Sequence, residues 1–142
     1  MTLHRITRFV FWLDGVVVSQ SSEHQMQPGM AGVLDALQHR FELWLVSSYP
    51  SPQLADVISK NSLSLWFDDG AVYSLPSHSM GHRAMLQSLV AAGVVKPGKS
   101  LWIDHDPIRT MLAVRQGIDA SIFVDAERLC RDLALWGIIS PD

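Results

Sequence analysis

Short, nearly continuous apolar runs recur along the chain, and between them apolar residues return every three or four positions. Phe9-Val10-Phe11-Trp12-Leu13 is apolar throughout, as a strand covered on both faces requires. Met30, Val33, Leu34 and Leu37 follow at i, i+3, i+4 and i+7 behind Pro28-Gly29, which predicts a helix with one buried face. Phe41 to Val46 reads as the second strand. Ser51 stands where a cap belongs, with Pro52 in the first turn of the next helix, and Leu54, Val57 and Ile58 predict its inner stripe. Residues 61–80 carry a weaker signal, read as loop with a short strand at Ala71-Val72-Tyr73. Met85, Leu86, Leu89 and Val90 predict a third helix ending near Gly93. Leu101-Trp102-Ile103 is the next strand. Asp106-Pro107 then opens a helix lined by Ile108, Met111 and Leu112 and closed by Gly117. Ala120 to Val124 is the last strand, and Leu129, Cys130, Leu133 and Trp136 mark the inner face of the last helix. This alternation predicts an α/β fold: a mostly parallel central sheet, Rossmann-like, in three layers joined by right-handed crossovers.

Composition narrows the class. With 142 residues, 48% hydrophobic and 18% charged, the chain suits one core domain over residues 1–142. Eleven Lys and Arg against fourteen Asp and Glu, net charge −3 and no basic run, argue against nucleic acid as a partner. No apolar stretch reaches the ~18–20 residues of a membrane span. Cys130 is the single cysteine and has no mate for an internal disulfide, and Met1–Val10 carries no secretory apolar stretch, so the cytoplasm is the expected compartment.

In open α/β sheets, function gathers beyond the carboxyl ends of the strands. Three predicted strand ends carry polar residues: Asp14-Gly15, Ser47-Ser48 and Asp104-His105-Asp106. Each alone is an ordinary turn or cap. Together they form a constellation that resembles the haloacid dehalogenase-like (HAD-like) hydrolase superfamily. Phe11-Trp12-Leu13-Asp14-Gly15-Val16-Val17 is similar to its first motif, a strand ending in Asp-x-Asp-Gly. Ser47 falls at the second motif, and Trp102-Ile103-Asp104-His105-Asp106 at the fourth, with Ala113 and Gly117 in the helix and turn behind it. Pro28-Gly29 and Leu65-Trp66-Phe67-Asp68 fit the same template, which spans roughly residues 8 to 136.

The resemblance implies an aspartyl nucleophile, a second aspartate as acid and base, a lysine at the third motif and a magnesium ion. This sequence departs from that set. Trp12 replaces the nucleophile, leaving Asp14 as the remnant acid/base position. Making Asp14 the nucleophile instead would put Val16 in the acid/base position. No lysine occurs between Lys60 and Lys96, so the third-motif position falls within Ser79 to Arg83, where His82 or Arg83 supplies the nearest positive charge. Asp104 and His105 are the remnant metal ligands, with magnesium expected only if the residual site functions. A softer metal among Asp14, Asp104, His105 and Asp106 is the rival to an acidic pocket with Asp106 as a helix cap. Ser47, Ser48, His82 and Arg83 form the remnant phosphate-binding set. Trp12, Trp44 and Trp102 lie inside strand patterns and are read as core, with Trp12 packed against the walls of the site.

Only a short flap, residues 18–27, stands where capped relatives insert a domain. The expected function is a capless pseudoenzyme that acts by binding a protein partner or a small anionic ligand. The alternatives are a divergent phosphatase of a small phosphorylated compound, or a structural homo-oligomer docked through Trp136-Gly137-Ile138-Ile139.

Overall fold

The structure, a computed structural model, describes residues 5–21, 23–75 and 81–139. In chain order the elements are β1 (Arg8–Trp12), α1 (Met30–Gln38), β2 (Glu42–Ser47), α2 (Ser51–Lys60), β3 (Val72–Ser74), α3 (His82–Ala91), β4 (Ser100–Asp104), α4 (Pro107–Arg115), β5 (Asp119–Ile122) and α5 (Ala126–Leu135). Short 3₁₀ turns at Leu63–Leu65 and Asp69–Ala71 lead into β3. The strands form one parallel sheet in the order β3-β2-β1-β4-β5. Around it α1 packs beside α5 and α3 beside α4.

β1 is the centre. All five of its residues are buried, as its unbroken apolar run demands. Phe9 pairs with Leu43 on one side and Leu101 on the other, and Trp12 sits opposite Val46. This register brings Trp12, Ser47 and Asp104 to the same edge of the sheet. At the opposite edge Arg8 is buried with its charge satisfied. Its guanidinium bonds Glu42 at 2.8 Å and the carbonyls of Gly93 and Val94 at 2.8 and 3.0 Å, and lies 4.2 Å from the Trp44 ring centroid.

One helix start and one helix face differ from expectation. α2 opens at Ser51, but its cap position is Pro50 and no side chain caps it. In α4 the cap and proline fall as expected, yet the helix is rotated about its axis. Ile108 and Met111 are 56% and 44% exposed, and Arg109, Thr110 and Ala113 face inward instead. The cause is electrostatic. Asp104 is fully buried, and turning Arg109 toward it avoids a solitary interior charge.

The flap is tied down. Val18 bridges both Asp14 and Met26, Ser19 N–H donates to Gln25 O at 2.7 Å and Gln27 N–H to Val17 O at 2.9 Å. Asn61, at the end of α2, accepts from Met26 N–H at 2.9 Å and donates to His24 O at 2.7 Å. The carboxyl-terminal segment is also engaged within its own chain. Ile138 is buried and its carbonyl accepts from Arg40, while Trp136 and Ile139 are half-buried.

Candidate functional site

Two clusters occupy the strand-end edge. The first is built around Asp104, whose oxygens are both fully engaged. Oδ1 accepts from Asp106 N–H at 3.0 Å and Arg109 Nη2 at 2.8 Å. Oδ2 accepts from Trp102 Nε1 at 2.9 Å and Arg109 Nε at 2.8 Å. Asp106 caps α4, its Oδ1 accepting from the N–H groups of Ile108 and Arg109 at 2.8 and 3.3 Å. That first turn projects Arg109 back over the strand ends, where Nη1 also reaches Asp106 Oδ2 at 3.4 Å. Burial works to raise the Asp106 carboxyl pKa. The two backbone hydrogen bonds and the nearby Arg109 and His82 charges outweigh it and hold the group below its ordinary value. The guanidinium carbon lies 3.9 Å from the Trp12 ring centroid, within cation–π range, and Trp12 leans against Trp102 at 6.3 Å. Trp12 is packed between Trp102 and the protein's own Arg109.

The second cluster is built around Asp14. Tyr49 OH donates to Asp14 Oδ1 at 2.6 Å and lies 3.2 Å from His24 Nδ1. Burial, then the hydrogen bond to Asp14 and its negative charge, raise the Tyr49 pKa and keep the phenol protonated. Ser47 positions this group, since its Oγ accepts from Tyr49 N–H at 2.9 Å, so the serine satisfies its own turn. Ser48 lies half-buried beside it. His24 is held at φ +49° with its ring edge against Tyr49 at 5.1 Å. A non-glycine residue in that region stores backbone strain that its surroundings must hold in place.

The clusters meet where His105 lies across the Asp14-Gly15 turn. A Cβ added at Gly15 would stand 2.7 Å from His105 Cδ2, and Gly15 itself has φ +82°. Gly15→Ala is expected to lose about 1–3 kcal/mol, combining left-handed strain with the clash. Urea denaturation of Gly15→Ala, His105→Ala and the double variant checks this, since the double variant should recover the steric part only.

The structure shows how the expected site residues are engaged. The lone pairs of Asp104 are taken by four hydrogen bonds, two of them from the charged Arg109 guanidinium. His105 packs on Gly15 and not beside a cation. Among the described residues no group of three or more His, Cys, Asp or Glu is arranged to hold a metal. Magnesium requires an octahedral set of oxygens. Trp12 offers none and Asp104 is taken, so the residues present do not fit the ion. Asp14, Asp104, His105 and Asp106 are likewise not gathered as a ligand set for a softer metal. His82 and Arg83 stand exposed in the first turn of α3, while Ser79 and Met80 lie outside the described residues. His82 lies near enough to Asp106 to help lower its pKa, and the cation that pairs directly with Asp104 is Arg109.

Sequence reasoning missed Arg109, Tyr49 and His24. Only Arg109 left a trace, as a charged residue three positions after a helix cap. A cavity of about 470 Å³ lies away from these clusters, beside the start of β2, lined in part by Phe41, Glu42, Trp44, Trp66 and Asp68.

The parallel sheet in this order, with a glycine turn and flap after the central strand and an aspartate ending the fourth, is the Rossmann-like fold that HAD-like proteins share. Solved structures bear this out. A HAD family enzyme from Bacteroides thetaiotaomicron superposes with a TM-score of 0.69 at 10% identity, covering 90% of this chain and 98% of its own. A predicted HAD-like family hydrolase from Porphyromonas gingivalis gives 0.66 at 15% identity, covering 93% and 98%. The Bacteroides enzyme is also known as an aspartate-to-alanine variant in complex with magnesium and inorganic phosphate, which matches at 0.66 and 10% identity over 84% of this chain and 95% of that one. At these identities the likeness concerns the fold. No protein-family profile and no curated protein matches the sequence. Among the described residues, no helix is long and apolar enough to cross a membrane.

Proposed function

We propose that this HAD-like domain has given up aspartyl phosphoryl transfer and acts by binding. The observation that carries the reading is Trp12. Its indole stands where the resemblance puts the nucleophile, cannot form an acyl phosphate, and is covered by Arg109 at 3.9 Å. The charge balance also disfavours the phosphate that a hydrolase would hold: the Arg109 guanidinium is already shared between Asp104 and Asp106, and Asp14 adds a third carboxylate at the strand ends. A protein partner fits this surface better than a small anion, since the outer face of α4 beside the cleft exposes Ile108, Met111 and Val114. Purified protein with magnesium and p-nitrophenyl phosphate should turn over no faster than its Asp14→Asn variant, because loss of a nucleophile costs ~10⁴–10⁶ in rate. Ordinary phosphatase rates abolished by Asp14→Asn would overturn the reading.

One observation favours a divergent hydrolase instead. Asp14, Tyr49 and His24 form a carboxylate, phenol and imidazole chain of the kind that moves protons during acid–base catalysis. In that case the same assay would show activity whose pH profile shifts in Tyr49→Phe.

A further inference from the structure

We infer that Arg109 is a tethered counter-cation standing in for a divalent metal, and that it makes the strand-end cleft blind to magnesium by construction. A carboxylate as deeply buried as Asp104 needs positive charge beside it. Either an ion from solution or a side chain can supply it. Here a planar guanidinium meets both carboxylate oxygens at 2.8 Å, the forked geometry that arginine matches and lysine does not. The arginine is only 8% exposed, so it is part of the interior and not a surface residue folded over the cleft.

Trp12 completes the exchange. An indole has no oxygen for a hard cation, but its face attracts a guanidinium. Trp12 and Arg109 thus act together: the first offers a hard cation no ligand, and the second supplies Asp104 with a positive charge that needs none. Trp102 and the Asp106 N–H occupy the remaining acceptor sites of Asp104. An incoming divalent ion would have to displace Arg109 and then sit beside its charge. This holds whether the cleft catalyses or only binds.

Thermal unfolding with magnesium chloride, against sodium chloride of matched ionic strength, tests the inference. Wild type should shift by less than about 1 °C, and Arg109→Ala, which frees Asp104 and Asp106, should rise by ~3 °C or more as mass action requires of a ligand for the folded state. Equal rises in both proteins would overturn the inference, and so would a folded Arg109→Ala that does not respond. If Arg109→Ala does not fold, wild type alone decides. Substoichiometric manganese should leave the indole N–H resonances of Trp12 and Trp102 sharp, and their selective broadening would show a metal beside Asp104 and refute the tethered cation.

Discussion

Truncating Arg109 to alanine is expected to lower the unfolding free energy by about 3–5 kcal/mol, the cost of stranding one partner of a buried ion pair. In a domain of this size that corresponds to a fall of roughly 10–20 °C in Tm. The loss has several parts. Asp104 keeps the hydrogen bonds from Trp102 and Asp106 but has no countercharge, Trp12 loses its stacked cation, and Asp106 loses a charge that holds its carboxyl ionised. Arg109→Lys restores the charge without the fork and should recover part of the stability. Urea denaturation of the three proteins checks the order. An Arg109→Ala loss below about 1 kcal/mol would mean that water and neighbouring dipoles already support Asp104.

Trp12→Asp tests whether one substitution revives the hydrolase arrangement, and the expected answer is that it does not. Removing the indole takes a 6% exposed side chain out of contact with Trp102 and Arg109, which typically costs about 3–5 kcal/mol. The new carboxylate would face Arg109 and pair with it, while Asp104 loses part of its share of the guanidinium. Magnesium would still meet an internal cation. Trp12→Asp should therefore melt lower than wild type and stay insensitive to magnesium, whereas Trp12→Asp with Arg109→Ala should gain a magnesium-dependent rise. Melting curves of wild type, both single variants and the double variant form a cycle in which the coupling between the two positions is read directly. A strong magnesium response in Trp12→Asp alone would show that Arg109 yields easily.

The sheet was legible in the sequence because its signal is local. The apolar runs at Phe9–Leu13 and Leu101–Ile103 have the composition of strands covered on both faces, and Asp106-Pro107 marked a helix start through chemistry contained in two residues. What escaped was decided across the fold. Ile108 and Met111 have helical spacing, and the rotation that exposes them is set by Asp104 on another element. Ser51 looked like a cap, but the turn leaves Pro50 in that position. Tyr49 and His24 are 25 residues apart and meet only because Asn61 and Ser47 fix the flap and the second strand's turn. The strand-end positions of Asp14, Ser47 and Asp104 could be foreseen from alternation alone. The partner that neutralises Asp104 could not, because Arg109 lies on α4 and reaches β4 only through a rotation of that helix which no local pattern records.

The position of β1 has a consequence for synthesis. The strand that organises the sheet is made first, and one of its two neighbours arrives late: Arg8 pairs with Ser100, ~90 residues further on, which at ~5–20 residues per second is a wait of ~5–20 s. β2 covers one edge earlier, but the other edge of an apolar, proline-free segment stays open on the ribosome until β4 emerges. Segments of that composition pair readily with other chains. Yield in the cell should therefore respond to translation speed and to chaperones that shield nascent chains, even where the finished domain is stable.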